Sequence, residues 1–247
     1  MLGLPDSVRG CLFDLDGVLT KTAKVHAAAW KQMFDRFLRD WSARTGVPFA
    51  PFDPVQDYDD YVDGRTREDG TRAFLASRHI TLPEGAKDDP PDAQTIYRLS
   101  DRKNEILLAL IRADGVEAYD GSVRYVQAVR AAGLRRAVVS SSANCRDILR
   151  AAQIEDLFEA RIDGVTVERD HLHGKPAPDT FLAGAKALGL EAAEAVVFED
   201  ALAGVEAGRA GEFGFVVGVD RVGQADALRQ HGADVVVQDL SELLGQS

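Results

Sequence analysis

Apolar residues follow two rhythms along this chain. Short continuous runs at residues 9–13, 135–139, 195–198, 214–219 and 234–237 have strand character, and the stretches between the later ones carry helical spacing. Val138-Val139, Val196-Val197-Phe198 and Val235-Val236-Val237 are unbroken by polar residues, the pattern of strands buried on both faces. Strands alternating with helices predict an α/β fold: a doubly wound, mostly parallel sheet of Rossmann-like type. Between residues 22 and 112 the rhythm changes. Helical segments at 24–44 and 93–112 dominate, with Ala27, Trp30, Phe34, Phe37 and Leu38 at helix spacing as a buried stripe. Residues 50–63 and 83–92, rich in Pro and Asp, read as loops. The pattern predicts a core of residues 1–21 and 113–247, interrupted by a helical cap domain at 22–112.

Composition narrows the partners. The 247 residues are 45% hydrophobic and 28% charged, in the globular range, and the net charge is −11. That charge argues against nucleic acid and anionic membrane surfaces, which are bound by clustered Lys and Arg. No apolar stretch approaches the roughly 20 residues of a spanning helix, and the first residues lack a basic segment followed by an apolar run. Two cysteines, Cys11 and Cys145, are too few for a disulfide scaffold. A cytoplasmic monomer acting on a small molecule is the expectation.

Chemistry gathers where the predicted strands end. The first strand runs into Asp14-Leu15-Asp16-Gly17, two carboxylates one residue apart. The second runs into Ser140-Ser141-Ser142-Ala143-Asn144, opening a helix whose N–H groups suit an oxyanion. A single lysine stands in Gly174-Lys175-Pro176-Ala177-Pro178-Asp179, and another strand ends in Glu199-Asp200. Each has an ordinary structural explanation as well: a turn, an N-cap or a solvated charge. The glycine frameworks of a P-loop and of a dinucleotide site are missing, and Ser140–Ser142 has no Gly-x-Ser-x-Gly elbow.

Taken in this order, the four segments resemble the motifs of the haloacid dehalogenase superfamily of phosphotransferases. The resemblance implies that Asp14 is a nucleophile forming an aspartyl-phosphate and that Asp16 is the general acid/base. It implies a Mg²⁺ ion held by Asp14, the Asp16 carbonyl and Asp200, with Glu199 in support. Ser140 and Lys175 would bind the phosphoryl oxygens. The position and helical content of the insertion resemble one class of cap in that superfamily.

Within that class, residues 13–23 with His26 and Trp30 are similar to the β-phosphoglucomutase family. The similarity implies substrate contacts from Thr22, His26, Gly64, Arg67, Lys103, Ser142 and Asn144. It also implies conversion of β-glucose 1-phosphate to glucose 6-phosphate by way of a bisphosphate. Asp63 and Ala143 stand where that family generally has lysines, which weakens the implied grip on a distal phosphate. A Mg²⁺-dependent phosphatase of small sugar phosphates is therefore the alternative. A catalytically silent binding module is disfavoured, because Asp14, Asp16, Lys175 and Asp200 are all present.

Overall fold

The computed structural model describes residues 1–245. The chain divides into two compact units, one formed by Met1–Lys21, Gly64–Thr66 and the chain from Val116 onward, the other by Thr22–Asp63 and Arg67–Gly115. The division falls after Gly115 rather than after residue 112, because a helix runs to Asp114. Gly64–Thr66, expected within the inserted domain, groups with the first unit, where Ser141 Oγ donates to Gly64 O at 2.7 Å.

The first unit is built on one six-stranded parallel sheet: β1 (Gly10–Phe13), β2 (Arg135–Val139), β3 (Ala160–Ile162), β4 (Ala195–Glu199), β5 (Phe215–Val219) and β6 (Val235–Val237). Their spatial order is β3-β2-β1-β4-β5-β6, as a Rossmann-like core requires. β1, β2 and β4 are buried along nearly their whole length, as their apolar runs predict. Two expectations need correction. β3 is a three-residue edge strand centred on Arg161, too short and polar to show as an apolar run. β6, read as buried on both faces, is the opposite edge strand, and Val235 and Val236 are only half-buried. The core joins Leu12, Val139, Val197 and Val216 to Phe181 and Val205 of the covering helices. Phe13 stacks on Phe198 with ring centres 4.4 Å apart.

The second unit holds helices α1 (Ala23–Thr45), α2 (Arg67–Ser77) and α3 (Ile96–Asp114). α3 begins later than its periodicity suggests because Thr95 caps it, accepting the Arg98 N–H at 3.2 Å. The predicted stripe is its core: Trp30 stacks on Phe34, which meets Phe52 and Phe74 at 5.3 and 4.1 Å between centres. The segment at 50–63 is not all loop, since Tyr58–Val62 winds into a π-helical turn that buries Tyr58 and Val62. The first unit also carries α4 (Asp120–Ala131), α5 (Cys145–Ala151), α6 (Gly164–Asp170), α7 (Asp179–Ala187), α8 (Leu202–Ala210) and α9 (Ala225–His231). Among the described residues no helix is long and apolar enough to cross a membrane. Burial raises both thiol pKa values, so Cys11 and Cys145 are inert packing groups.

Candidate active site

The parallel register sets Phe13 beside Val138 on one side and Phe198 on the other. β1 ends at this level, and β2 and β4 end one residue further on, at Val139 and Glu199, on either side of it. The chain passes from β1 to one half of the sheet and later to the other, so this is the switch point where open α/β sheets bind ligands. Asp14 is anchored by its N–H, which donates to Phe198 O at 2.9 Å.

Lys175 closes the centre of the site. Its Nζ donates to Asp14 Oδ1 at 2.6 Å, to Glu199 Oε1 and to Val139 O at 3.2 Å, and lies 4.8 Å from the centre of the Phe181 ring. Burial would lower the pKa of this ammonium, but the Asp14 and Glu199 carboxylates outweigh burial and hold it above its usual value. Burial likewise pushes the Asp14 carboxyl up to about 6, against the pull of Lys175 and with the help of the Asp16 charge. Glu199 is pushed up to about 7, again by burial and against Lys175. Its Oε2 accepts the Ala201 N–H at 2.9 Å, which ties it to the start of α8.

Carboxylate oxygens of Asp14, Glu199 and Asp200 lie within 4.8 Å of one another, all three residues buried. Three carboxylates around one ammonium leave an excess of negative charge in a place where unpaired charge is expensive. An all-oxygen donor set with that excess fits a hard divalent cation. Gly17 makes the arrangement possible. Its φ is +88°, and a Cβ there would stand 1.7 Å from Asp200 Oδ2, so only glycine lets the Asp14–Gly17 loop lie against that carboxylate. Asp16 is half-buried and contributes no carboxylate oxygen to the cluster; its N–H donates to the Asp14 carboxylate.

The serine segment differs from expectation. α5 starts only at Cys145, and three of the N–H groups expected to face an oxyanion are engaged: Ser140 with Ile162 O at 2.9 Å, Ser142 with Ser140 Oγ at 3.1 Å and Asn144 with Ser142 Oγ at 3.2 Å. Ser140 stays buried beside β1, and its hydroxyl braces the loop. Gly64, with φ of +70°, lies close to Ala201; a Cβ would stand 3.0 Å from the alanine Cβ.

In the second unit the structure brings Lys103 and His26 together, Nζ to Nδ1 at 3.0 Å, with Nζ 4.8 Å from the centre of the Trp30 ring. Burial and then the charges of Lys103 and Arg67 hold the His26 pKa well below its usual value, which places Arg67 within electrostatic reach. Arg67 is the first residue of α2, and its carbonyl accepts the Thr71 hydroxyl at 2.8 Å. Thr22 precedes α1 and its carbonyl accepts the His26 N–H at 2.9 Å.

Sequence reasoning missed Gly17's contact with Asp200 and the polar turn after β5, where Arg221 and Gln224 reach the backbone of Gly17 and Asp200. The signal was present: Asp220-Arg221 follows an apolar strand, as Asp14 and Glu199-Asp200 do.

Comparison with known proteins agrees with this geometry. The model of the haloacid dehalogenase-like hydrolases matches residues 8–212. A protein of Mycobacterium tuberculosis named β-phosphoglucomutase is 58% identical over 247 residues, covering 99% of this chain and 94% of that protein. One of the same name from Bacillus subtilis is 30% identical, covering 96% and 92%. The crystal structure of a β-phosphoglucomutase from Clostridium difficile shares the fold, with a TM-score of 0.73, 24% identity and coverage of 96% and 93%. The chain belongs to the haloacid dehalogenase-like hydrolase family, and its near relatives are enzymes.

Proposed function

We propose that the protein is a β-phosphoglucomutase, converting β-glucose 1-phosphate to glucose 6-phosphate through a phosphorylated Asp14 and a glucose 1,6-bisphosphate intermediate. The observation that carries this reading is the 58% identity to the M. tuberculosis protein of that name over nearly the whole of both chains. The buried Asp14, Lys175 and Glu199 group supports the chemistry.

Phosphorylated Asp14 gives its phosphoryl group to the 6-hydroxyl of β-glucose 1-phosphate while Asp16 takes the hydroxyl proton. The bisphosphate turns over, its 1-phosphoryl group passes to the Asp14 carboxylate, Asp16 returns the proton to the departing C1 oxygen, and glucose 6-phosphate leaves. Lys175, held at Asp14 by its two carboxylate partners, neutralises charge on the transferring group, and the Ser140 hydroxyl binds another of its oxygens. Mg²⁺, held by Asp14, Asp200 and the Asp16 carbonyl with Glu199 in support, supplies further charge neutralisation when bound. Thr22, His26, Gly64, Arg67, Lys103, Ser142 and Asn144 bind the sugar and its second phosphate.

A coupled assay with Mg²⁺, β-glucose 1-phosphate and a trace of the bisphosphate, following glucose 6-phosphate and free phosphate together, tests the reading. Rapid glucose 6-phosphate formation with little phosphate release is expected. Phosphate release without isomerisation would replace the mutase with a sugar phosphatase, the reading that Asp63 and Ala143 favour.

A further inference from the structure

The turn after β5 carries two side chains that the reaction above does not use. Asp220 closes it: its N–H donates to Val237 O at 2.8 Å, and its Oδ1 accepts the N–H groups of Val222, Gly223 and Gln224 at 3.2, 2.7 and 2.8 Å. From this turn Arg221 Nε donates to Gly17 O at 2.8 Å, and Gln224 Nε2 donates to Asp200 O at 3.1 Å. One fixed turn thus grips the backbone of both loops that carry the acidic cluster, at the place where Gly17 presses on the Asp200 carboxylate. Arg221 is itself immobilised. Its guanidinium lies 3.6 Å from the centre of the Tyr119 ring, and Nη1 donates to Gln238 O at 2.6 Å with Asp239 Oδ2 at 3.7 Å. Its Nη2 is buried and, among the described residues, without a hydrogen-bond partner.

We propose that Arg221 and Gln224 are positioning residues for the divalent-cation site, and that the Asp220–Gln224 turn sets the spacing between the Asp14–Gly17 loop and the Asp200 loop. The proposal rests on the reading of Asp14, Glu199 and Asp200 as cation ligands. Gathered carboxylates repel one another before a cation arrives, and two backbone tethers oppose their separation. Without the tethers, binding itself must bear the cost of bringing the loops together.

Mn²⁺ titration of the full chain, with the free ion followed by electron paramagnetic resonance, reads this directly. Gln224→Ala and Arg221→Met are each expected to raise the Mn²⁺ Kd by about fivefold, the worth of one hydrogen bond. Arg221→Lys, which keeps a donor for Gly17 O, is expected to recover part of the loss. The Mg²⁺ concentration for half-maximal glucose 6-phosphate formation should rise in step, with a smaller fall in kcat at saturating Mg²⁺. Melting in EDTA separates positioning from bulk stability: a lowered Tm with Mn²⁺ affinity as in wild type would make both residues merely structural and overturn the proposal. If Arg221→Met does not fold, Gln224→Ala decides by the same readout. A wild-type chain that binds no Mn²⁺ would overturn the cation reading and the proposal with it. Wild-type binding matched by the variants would overturn the proposal alone.

Discussion

Each unit buries a lysine, and the two are housed differently. Lys175, in the α/β unit, sits between the Asp14 and Glu199 carboxylates, so charge is held by charge. Lys103, in the helical unit, rests on the face of Trp30 with its Nζ at the His26 imidazole. The first arrangement raises the pKa of the lysine itself. In the second, the cation's field falls on a histidine already disfavoured as a cation by burial. The contrast separates two uses of a buried cation. Lys175 compensates carboxylates that the fold has already buried, so fold and chemistry both need it. Lys103 meets a ring and a neutral imidazole rather than a carboxylate, and under the mutase reading its charge serves the substrate phosphate.

The sharpest cut is at Asp14. Asp14→Asn removes the proposed nucleophile but leaves the Lys175–Glu199 pair, so glucose 6-phosphate formation should fall by at least about a thousandfold while the protein stays folded. Retained turnover would remove Asp14 from its role. Lys175→Met leaves two carboxylates facing each other in a dry site and should cost about 3–5 kcal/mol in urea unfolding. Lys103→Met gives up a cation–π contact and the hydrogen bond to His26 Nδ1, and should cost about 1–3 kcal/mol, less than Lys175→Met. Equal losses from the two lysine variants would break the comparison.

The same contrast explains what could be read from the chain. Asp14 and Glu199-Asp200 stand at strand ends behind apolar runs, and Lys175 stands between a glycine and two prolines, so their order along the sequence exposed them. The 161-residue separation of Asp14 and Lys175 hid the contact itself, because no local pattern encodes a pairing across the sheet. In the helical unit Lys103 and His26 lie on helices whose periodicity marks the stripe of Trp30 and Phe34, and period alone does not separate a lysine laid on that stripe from a solvated one. Arg161 at the centre of β3 broke the apolar signal of that strand. The family resemblance alone marks Arg67, and it begins α2. Arg221 and Gln224 escaped notice because a polar turn after a strand is ordinary; only their reach to two backbone carbonyls sets them apart.

The finest test concerns the field that Lys103 casts on His26. Burial first, then Lys103 and Arg67, hold the imidazole well below its ordinary 6.5. The unfolded chain takes up a proton near that ordinary value and the folded chain does not. Stability from this residue is therefore complete above pH 6.5 and is lost as pH falls toward the depressed value, at no more than about 1.4 kcal/mol per pH unit. His26→Gln should flatten the curve, so that its stability relative to wild type improves by about 1 kcal/mol between pH 7.5 and 5.5. Asp59, which burial and the Asp60 charge push up to about 6, acts in the opposite direction, since its folded form takes the proton first; it is present in both proteins and cancels in the difference. Lys103→Met should flatten the curve in part, because burial and Arg67 remain, and the His26 resonances in a proton NMR titration should move toward 6.5. Unfolding curves that stay parallel across this range in all three proteins would mean that Lys103 and His26 share a contact but not a charge.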